Sequence, residues 1–140
     1  EPVAHVLNRL GSVHAWVVHG HSGLDEISTT GPTVVAEVKN GNVTTFEISP
    51  GDFGFETATL EDLKGGDADV NDKAITDLLA AKKGAYRDIV LMNAGAALVV
   101  TGIASDLAEG IKKASDAIDS GKAAETLQGL VTITNEGNAA

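Results

Sequence analysis

The sequence predicts an α/β domain, with a mixed and mostly parallel sheet flanked by helices and carrying one antiparallel hairpin. Three observations predict it. Ala15-Trp16-Val17-Val18 is a short unbroken apolar run of the kind that forms a strand buried on both faces. Two β-rich segments, Thr33 to Val38 and Val43 to Ile48, flank Lys39-Asn40-Gly41-Asn42, and Asn-Gly is a strong hairpin signal. After residue 67 the apolar pattern takes on the helical period for most of the remaining chain. Strands early and helices afterwards give a sheet that helices cover.

In chain order, Val3, Val6, Leu7 and Leu10 stand at helical spacing with Gly11 as the stop, so the chain opens on the end of a helix. The apolar strand at Ala15–Val18 runs into His19-Gly20-His21-Ser22-Gly23. Such a loop falls at the carboxyl end of a sheet, where ligands bind in open α/β folds. Pro50, Gly51 and Gly54 make Ser49 to Phe55 a loop, and Leu60 to Leu63 has room for one helical turn. Asp67 or Asp69 caps a helix with Ala74, Ile75, Leu78 and Leu79 on its apolar face and Gly84 at its end. Arg87 to Gly102 is almost wholly apolar, and Ala94 to Ala97 suit a buried helix in close backbone contact. Asp106 to Ser120 reads as an amphipathic helix, with Leu107, Ile111, Ala114 and Ile118 on one side. Lys122 to Val131 forms a last helix, and the tail 135–140 is expected to fray.

Bulk properties narrow the function. A length of 140 residues is one domain, and 43% hydrophobic residues make it globular. There is no cysteine, which excludes disulfides and thiolate zinc and fits a reducing cytoplasm. No apolar stretch is long enough for a bilayer span, and the start lacks the pattern of a signal peptide. An opening on Glu1 rather than Met suggests a piece of a longer or processed protein. The formal net charge of −10 disfavours nucleic-acid binding, which needs Lys and Arg against phosphate. A polyphosphate substrate would need a divalent cation or a partner domain to balance that charge.

The strongest candidate site is Asp25-Glu26, two adjacent carboxylates in a glycine-containing loop after a strand. Hard oxygen ligands suit magnesium, which typically takes one or two carboxylates, keeps several waters and bridges to phosphates. The plainer reading, two solvated loop acids or a helix-start acid, stands beside it. His19 and His21 do not complete a zinc set, and His19 is expected to shape its loop. Gly65-Gly66-Asp67 fits a turn with an Asp cap better than an anion cradle, because Asp67 would repel phosphate. Ser28, Thr29 and Thr30 offer hydroxyls with no relay to activate them. Asn93, in the apolar helix, needs hydrogen-bond partners.

Taken together, Val17-Val18-His19-Gly20, Gly23-Leu24-Asp25-Glu26-Ile27-Ser28 and Thr30-Gly31-Pro32-Thr33 resemble the anthranilate phosphoribosyltransferase family. So do Asp62-Leu63-Lys64-Gly65-Gly66-Asp67-Ala68, Arg87-Asp88, Asn93-Ala94 and Ala117-Ile118-Asp119-Ser120-Gly121-Lys122-Ala123, in the family's order and over nearly the whole chain. The resemblance implies a C-terminal domain of the nucleoside phosphorylase and phosphoribosyltransferase type, here residues 1–134, without the N-terminal helical domain. It implies transfer of phosphoribose from phosphoribosyl pyrophosphate (PRPP) to anthranilate, with release of pyrophosphate, in tryptophan biosynthesis. It assigns Mg2+ to Asp25 and Glu26, and a homodimer to the complete protein. The family's phosphate loop, its lysine-rich loop and its anthranilate-binding arginine have no counterpart here, so this chain alone is expected to be inactive. It is also expected to expose an apolar patch where the rest would pack. A pyrimidine nucleoside phosphorylase-like domain and an inert binding module remain as alternatives.

Overall fold

In the computed structural model, residues 1–136 are described. The elements, in order, are α1 (Pro2–Arg9), β1 (His14–Gly20), β2 (Thr33–Lys39), β3 (Asn42–Ile48), α2 (Ala68–Leu79), α3 (Ala85–Val100), α4 (Leu107–Asp119) and α5 (Lys122–Glu136). Short 3-10 turns at Pro50–Phe53 and Glu61–Leu63 lie between β3 and α2. Asn135 and Glu136, expected in the frayed tail, continue α5, and the rest of that tail lies outside the described residues.

The sheet corrects the expected topology. It is wholly antiparallel, in the order β1-β2-β3, rather than mostly parallel. A parallel neighbour needs a long crossover connection, usually a helix, and no helix lies between any two of these strands. Strand β1 is therefore an edge strand, and Ala15 to Val18 are only half-buried instead of enclosed on both faces. The hairpin is as the sequence predicts. Lys39 pairs with Asn42 across Asn40 and Gly41, both at positive φ (50° and 82°), which is the geometry of a type I′ turn.

Each face of the sheet is packed against helices. Val35 and Ile48, with Trp16, Val18 and Phe46 beside them, meet Met92 and Ala96 of α3 and Leu107 of α4. Trp16 and Phe46 pack edge to face with centroids 5.5 Å apart. On the other face, Ala36 and Val38 receive Ala4 and Leu7 of α1. Glu37, half-buried on β2, accepts from Trp16 Nε1 at 2.9 Å and pairs with His14 Nε2 at 2.8 Å.

Helix ends follow local chemistry. Asp67 accepts from the Val70 N–H and Asp106 from the Glu109 N–H, the capping role of aspartate at both starts. Asn71 closes the Gly65-Gly66 turn by bonding both the N–H and the carbonyl of Gly66. The sequence places Gly84 at the end of α2. That helix stops at Leu79, and Gly84 is instead the N-cap of α3. On α2 only Leu78 is buried, and Ile75 of the expected apolar face is exposed.

Helices α3 and α4 cross at glycines. A Cβ on Gly95 would stand 2.8 Å from Ile111 N and 3.0 Å from Gly110 C. This is the close backbone contact that the small residues of α3 suggest. Around α1, Val3, Val6, Leu10 (77%) and Val13 (72%) are exposed. Among the described residues no helix is long and apolar enough to cross a membrane.

Candidate metal centre

The loop between β1 and β2 carries Asp25 and Glu26, and its backbone is held on both sides of the pair. Before the pair, the Gly20 N–H donates to the Leu24 carbonyl (3.0 Å) and the Gly23 N–H to the Gly20 carbonyl (2.8 Å). Gly23 turns the chain at φ +90°, a conformation that glycine adopts without strain. Gly20 is buried, and a Cβ there would lie 3.0 Å from Ser28 Cβ and 3.5 Å from the Glu26 carbonyl oxygen, so its bareness lets the loop fold back on the strand.

After the pair, Ile27, Ser28 and Thr29 are fully buried. Asn93 of α3 clamps Ile27 through two complementary bonds. Its Oδ1 accepts from the Ile27 N–H at 3.0 Å, and its Nδ2 donates to the Ile27 carbonyl at 2.8 Å. The Nδ2 also donates to the Ile89 carbonyl at 2.9 Å, which ties the clamp to its own helix. The partners that the sequence demands for Asn93 are therefore the backbone next to the acidic pair. Nothing in the local pattern could show this, since 66 positions separate the two residues.

The hydroxyls of this loop bind one another. Ser28 Oγ and Thr30 Oγ1 are 2.8 Å apart, Thr30 Oγ1 donates to Ser22 Oγ at 2.7 Å, and the Ser28 N–H donates to Thr33 Oγ1 at 2.9 Å. They brace the loop. His19 lies at the end of β1, where its backbone pairs with Val34; its side chain is exposed and has no hydrogen-bond partner among the described residues. His21 instead reaches Glu47 of β3 at 3.1 Å.

Asp25 and Glu26 themselves are exposed, and neither carboxylate has a hydrogen-bond or ion-pair partner among the described residues. Adjacent anions with free oxygens on a braced backbone fit a hydrated divalent cation, which takes one or two carboxylates and completes its shell with water and phosphate oxygens. Among the described residues no three acidic or histidine side chains converge as a closed metal cage. The protein would then supply the minority of the ligands, as is usual for magnesium.

Comparison with known proteins agrees with the sequence reading. Residues 1–124 match the family model for the glycosyl transferase family, α/β domain. The chain is 62% identical over 135 residues to the anthranilate phosphoribosyltransferase of Azospirillum brasilense, covering 96% of this chain and 38% of that protein. It is 54% identical over 138 residues to the enzyme of the same name from Parvibaculum lavamentivorans, covering 99% of this chain and 40% of that protein. The crystal structure of anthranilate phosphoribosyltransferase from Thermus thermophilus superposes with a TM-score of 0.83 at 36% identity, over 94% of this chain and 38% of that one. The Saccharomyces cerevisiae enzyme in complex with PRPP and Mg superposes with a TM-score of 0.75 at 29% identity, over 82% of this chain and 33% of that one. The chain thus spans 38% to 40% of the length of these two curated relatives.

Proposed function

We propose that this chain, which belongs to the glycosyl transferase family as its α/β domain, supplies the magnesium-holding part of a phosphoribosyl transfer site. The reaction moves phosphoribose from PRPP to the amino group of anthranilate and releases pyrophosphate, a step of tryptophan biosynthesis. The observation that carries the reading is the exposed pair Asp25 and Glu26, without partners among the described residues, on a loop pinned at Leu24 and Ile27. The names of the relatives supply the substrates, and the yeast complex supplies the precedent for Mg beside PRPP.

Attack of an amine on the anomeric carbon needs stabilisation of the departing pyrophosphate more than a strong base. Magnesium, when bound, would neutralise that leaving-group charge. Asp25 and Glu26 would hold it through their free oxygens. Asn93, by fixing the Ile27 backbone, would keep both carboxylates in one place, which is a positioning role. Residues 1–134 form the C-terminal α/β portion in this reading. The loops that grip PRPP and anthranilate, and the helical domain through which a homodimer would form, belong to the part of such a protein that this chain does not span. The apolar surface at Val3, Val6, Leu10 and Val13 supports further packing there. The complete protein would act in the cytoplasm, without nucleic acid or membrane as partner.

The test follows loss of anthranilate fluorescence with PRPP and magnesium. The complete protein should turn over, and Asp25→Asn combined with Glu26→Gln should chiefly damage its magnesium-dependent rate. Unchanged magnesium dependence in the double variant would remove these residues from the mechanism. This chain alone should leave the fluorescence unchanged, and decay without the remaining part would overturn the division of labour.

A further inference from the structure

The hydroxyls that cross the loop of Asp25 and Glu26 form a chain with a direction. Thr30 Oγ1 donates to Ser22 Oγ at 2.7 Å. A hydroxyl has one proton, so at its 2.8 Å contact with Ser28 Oγ the Thr30 oxygen accepts and Ser28 donates. Ser28 Oγ in turn accepts from the Thr30 N–H at 2.9 Å, and the Ser28 N–H donates to Thr33 Oγ1 at 2.9 Å. The hydroxyl protons therefore run one way, from Ser28 through Thr30 to Ser22.

The two ends of this chain lie in different surroundings. Ser28 and Thr33 are 1% and 0% exposed, and Thr33 is the first residue of β2. Ser22 is exposed and precedes the acidic pair, whereas Ser28 follows it. Thr30 thus joins the outer arm of the loop to the buried arm. The outer arm has two further ties to the rest of the fold, the His21 N–H on the Pro32 carbonyl (3.0 Å) and the His21 side chain on Glu47 (3.1 Å). Both groups of that ion pair are half exposed, and a pair so screened contributes little. Without the Thr30 hydroxyl, the buried Ser28 proton loses its acceptor and Ser22 loses its donor. Bonds in a chain polarise one another, so the two links weaken together.

We propose that Thr30 is a positioning residue for the cation of the Asp25 and Glu26 site. Its hydroxyl fixes the outer arm of the loop against the start of β2, and so holds the two carboxylates in one arrangement. The proposal rests on the magnesium reading of that pair. A cation that takes most of its ligands from water and substrate has only these carboxylates from the protein, so the groups that orient them set much of the affinity. Thr30 has no hydrogen bond to either carboxylate among the described residues, and it acts through the loop.

The experiment is a titration of the 15N-labelled 140-residue chain with Mn2+, which takes the same oxygen ligands as magnesium and broadens nearby amide signals. In the wild type the Asp25 and Glu26 amides should broaden saturably, and excess Mg2+ should restore them. Thr30→Val keeps the shape and removes the hydroxyl, and should weaken Mn2+ binding roughly threefold to tenfold. Thr30→Ser returns the hydroxyl and should restore the affinity. Ser22→Ala breaks only the exposed link, leaves the buried end untouched, and should weaken binding by a similar factor. Wild-type affinity in either Thr30→Val or Ser22→Ala overturns the proposal. So does a Thr30→Ser chain that binds no better than Thr30→Val, because the hydroxyl would then not be what matters. Failure of the magnesium reading looks different: the wild type does not broaden at all, or Asp25→Asn combined with Glu26→Gln broadens as the wild type does. Either result overturns that reading and this proposal with it.

Discussion

Replacing Gly95 with alanine puts a methyl group where α3 and α4 already touch. In an isolated helix the change would help, since alanine is favoured over glycine by about 0.5–1 kcal/mol. Here the new Cβ would meet Ile111 N at 2.8 Å, Gly110 C at 3.0 Å and Ile111 Cγ1 at 3.0 Å. Two of these three neighbours are backbone atoms, which cannot rotate away, so the helices must part. Overpacking of this kind costs about 1–3 kcal/mol, and the backbone contacts place this case at the upper end. After subtraction of the helix gain, the net loss is about 2 kcal/mol, or roughly 6–8 °C in thermal midpoint for a domain of this size. The displacement also reaches the site, because Asn93 stands two residues before Gly95 on the same helix and clamps Ile27. Thermal unfolding followed by circular dichroism measures the effect. Gly129→Ala is the control, since it lies within α5 with nothing within 4 Å of the new methyl group, and should leave the midpoint unchanged or raise it. If Gly95→Ala were as harmless as Gly129→Ala, the contact would not be what requires glycine at the crossing.

Two further perturbations probe the loop and the sheet. Asn93→Ala leaves the Ile27 N–H and carbonyl without their partners, so stability should fall by about 2 kcal/mol or more and the Ile27 amide should exchange faster. Native-like protection of that amide in the variant would refute the clamp. Glu37 responds to pH. Burial raises its pKa, but hydrogen bonds from Trp16 and His14, with the charges of His14 and Lys39, outweigh this and hold the carboxyl below its usual 4.5. A carboxyl lowered on folding adds stability that is present above 4.5 and lost as pH falls through the lower folded value. Urea midpoints read from Trp16 fluorescence should therefore fall below pH 4.5 in the wild type, and less so in Glu37→Gln. Equal acid sensitivity in the two proteins would count against this pairing.

The features legible in the sequence are those set within a few residues. Asn40-Gly41 dictates its turn because only such residues accept positive φ at both positions. Asp67 and Asp106 begin their helices because each carboxylate reaches an N–H three residues on. The acidic pair is visible for the same reason: adjacency in sequence is adjacency in space. Its exposure, and its lack of partners among the described residues, are not visible there, because both depend on how the loop packs.

Tertiary structure decided what joins distant segments. Strand direction escapes the sequence because an apolar run states how much a strand prefers burial, not which neighbour it pairs with, and β1 is an edge. Gly84 changed role from the end of one helix to the start of the next, since either terminus tolerates glycine and only the path of the chain chooses. Arg87 reads as the polar start of an apolar helix, yet it is buried against Ser115 and Asp119 of α4. Asn93 gained its partners from a loop 66 positions away. Composition and periodicity are local sums, whereas these contacts exist only once α3 lies across the sheet and α4 lies across α3.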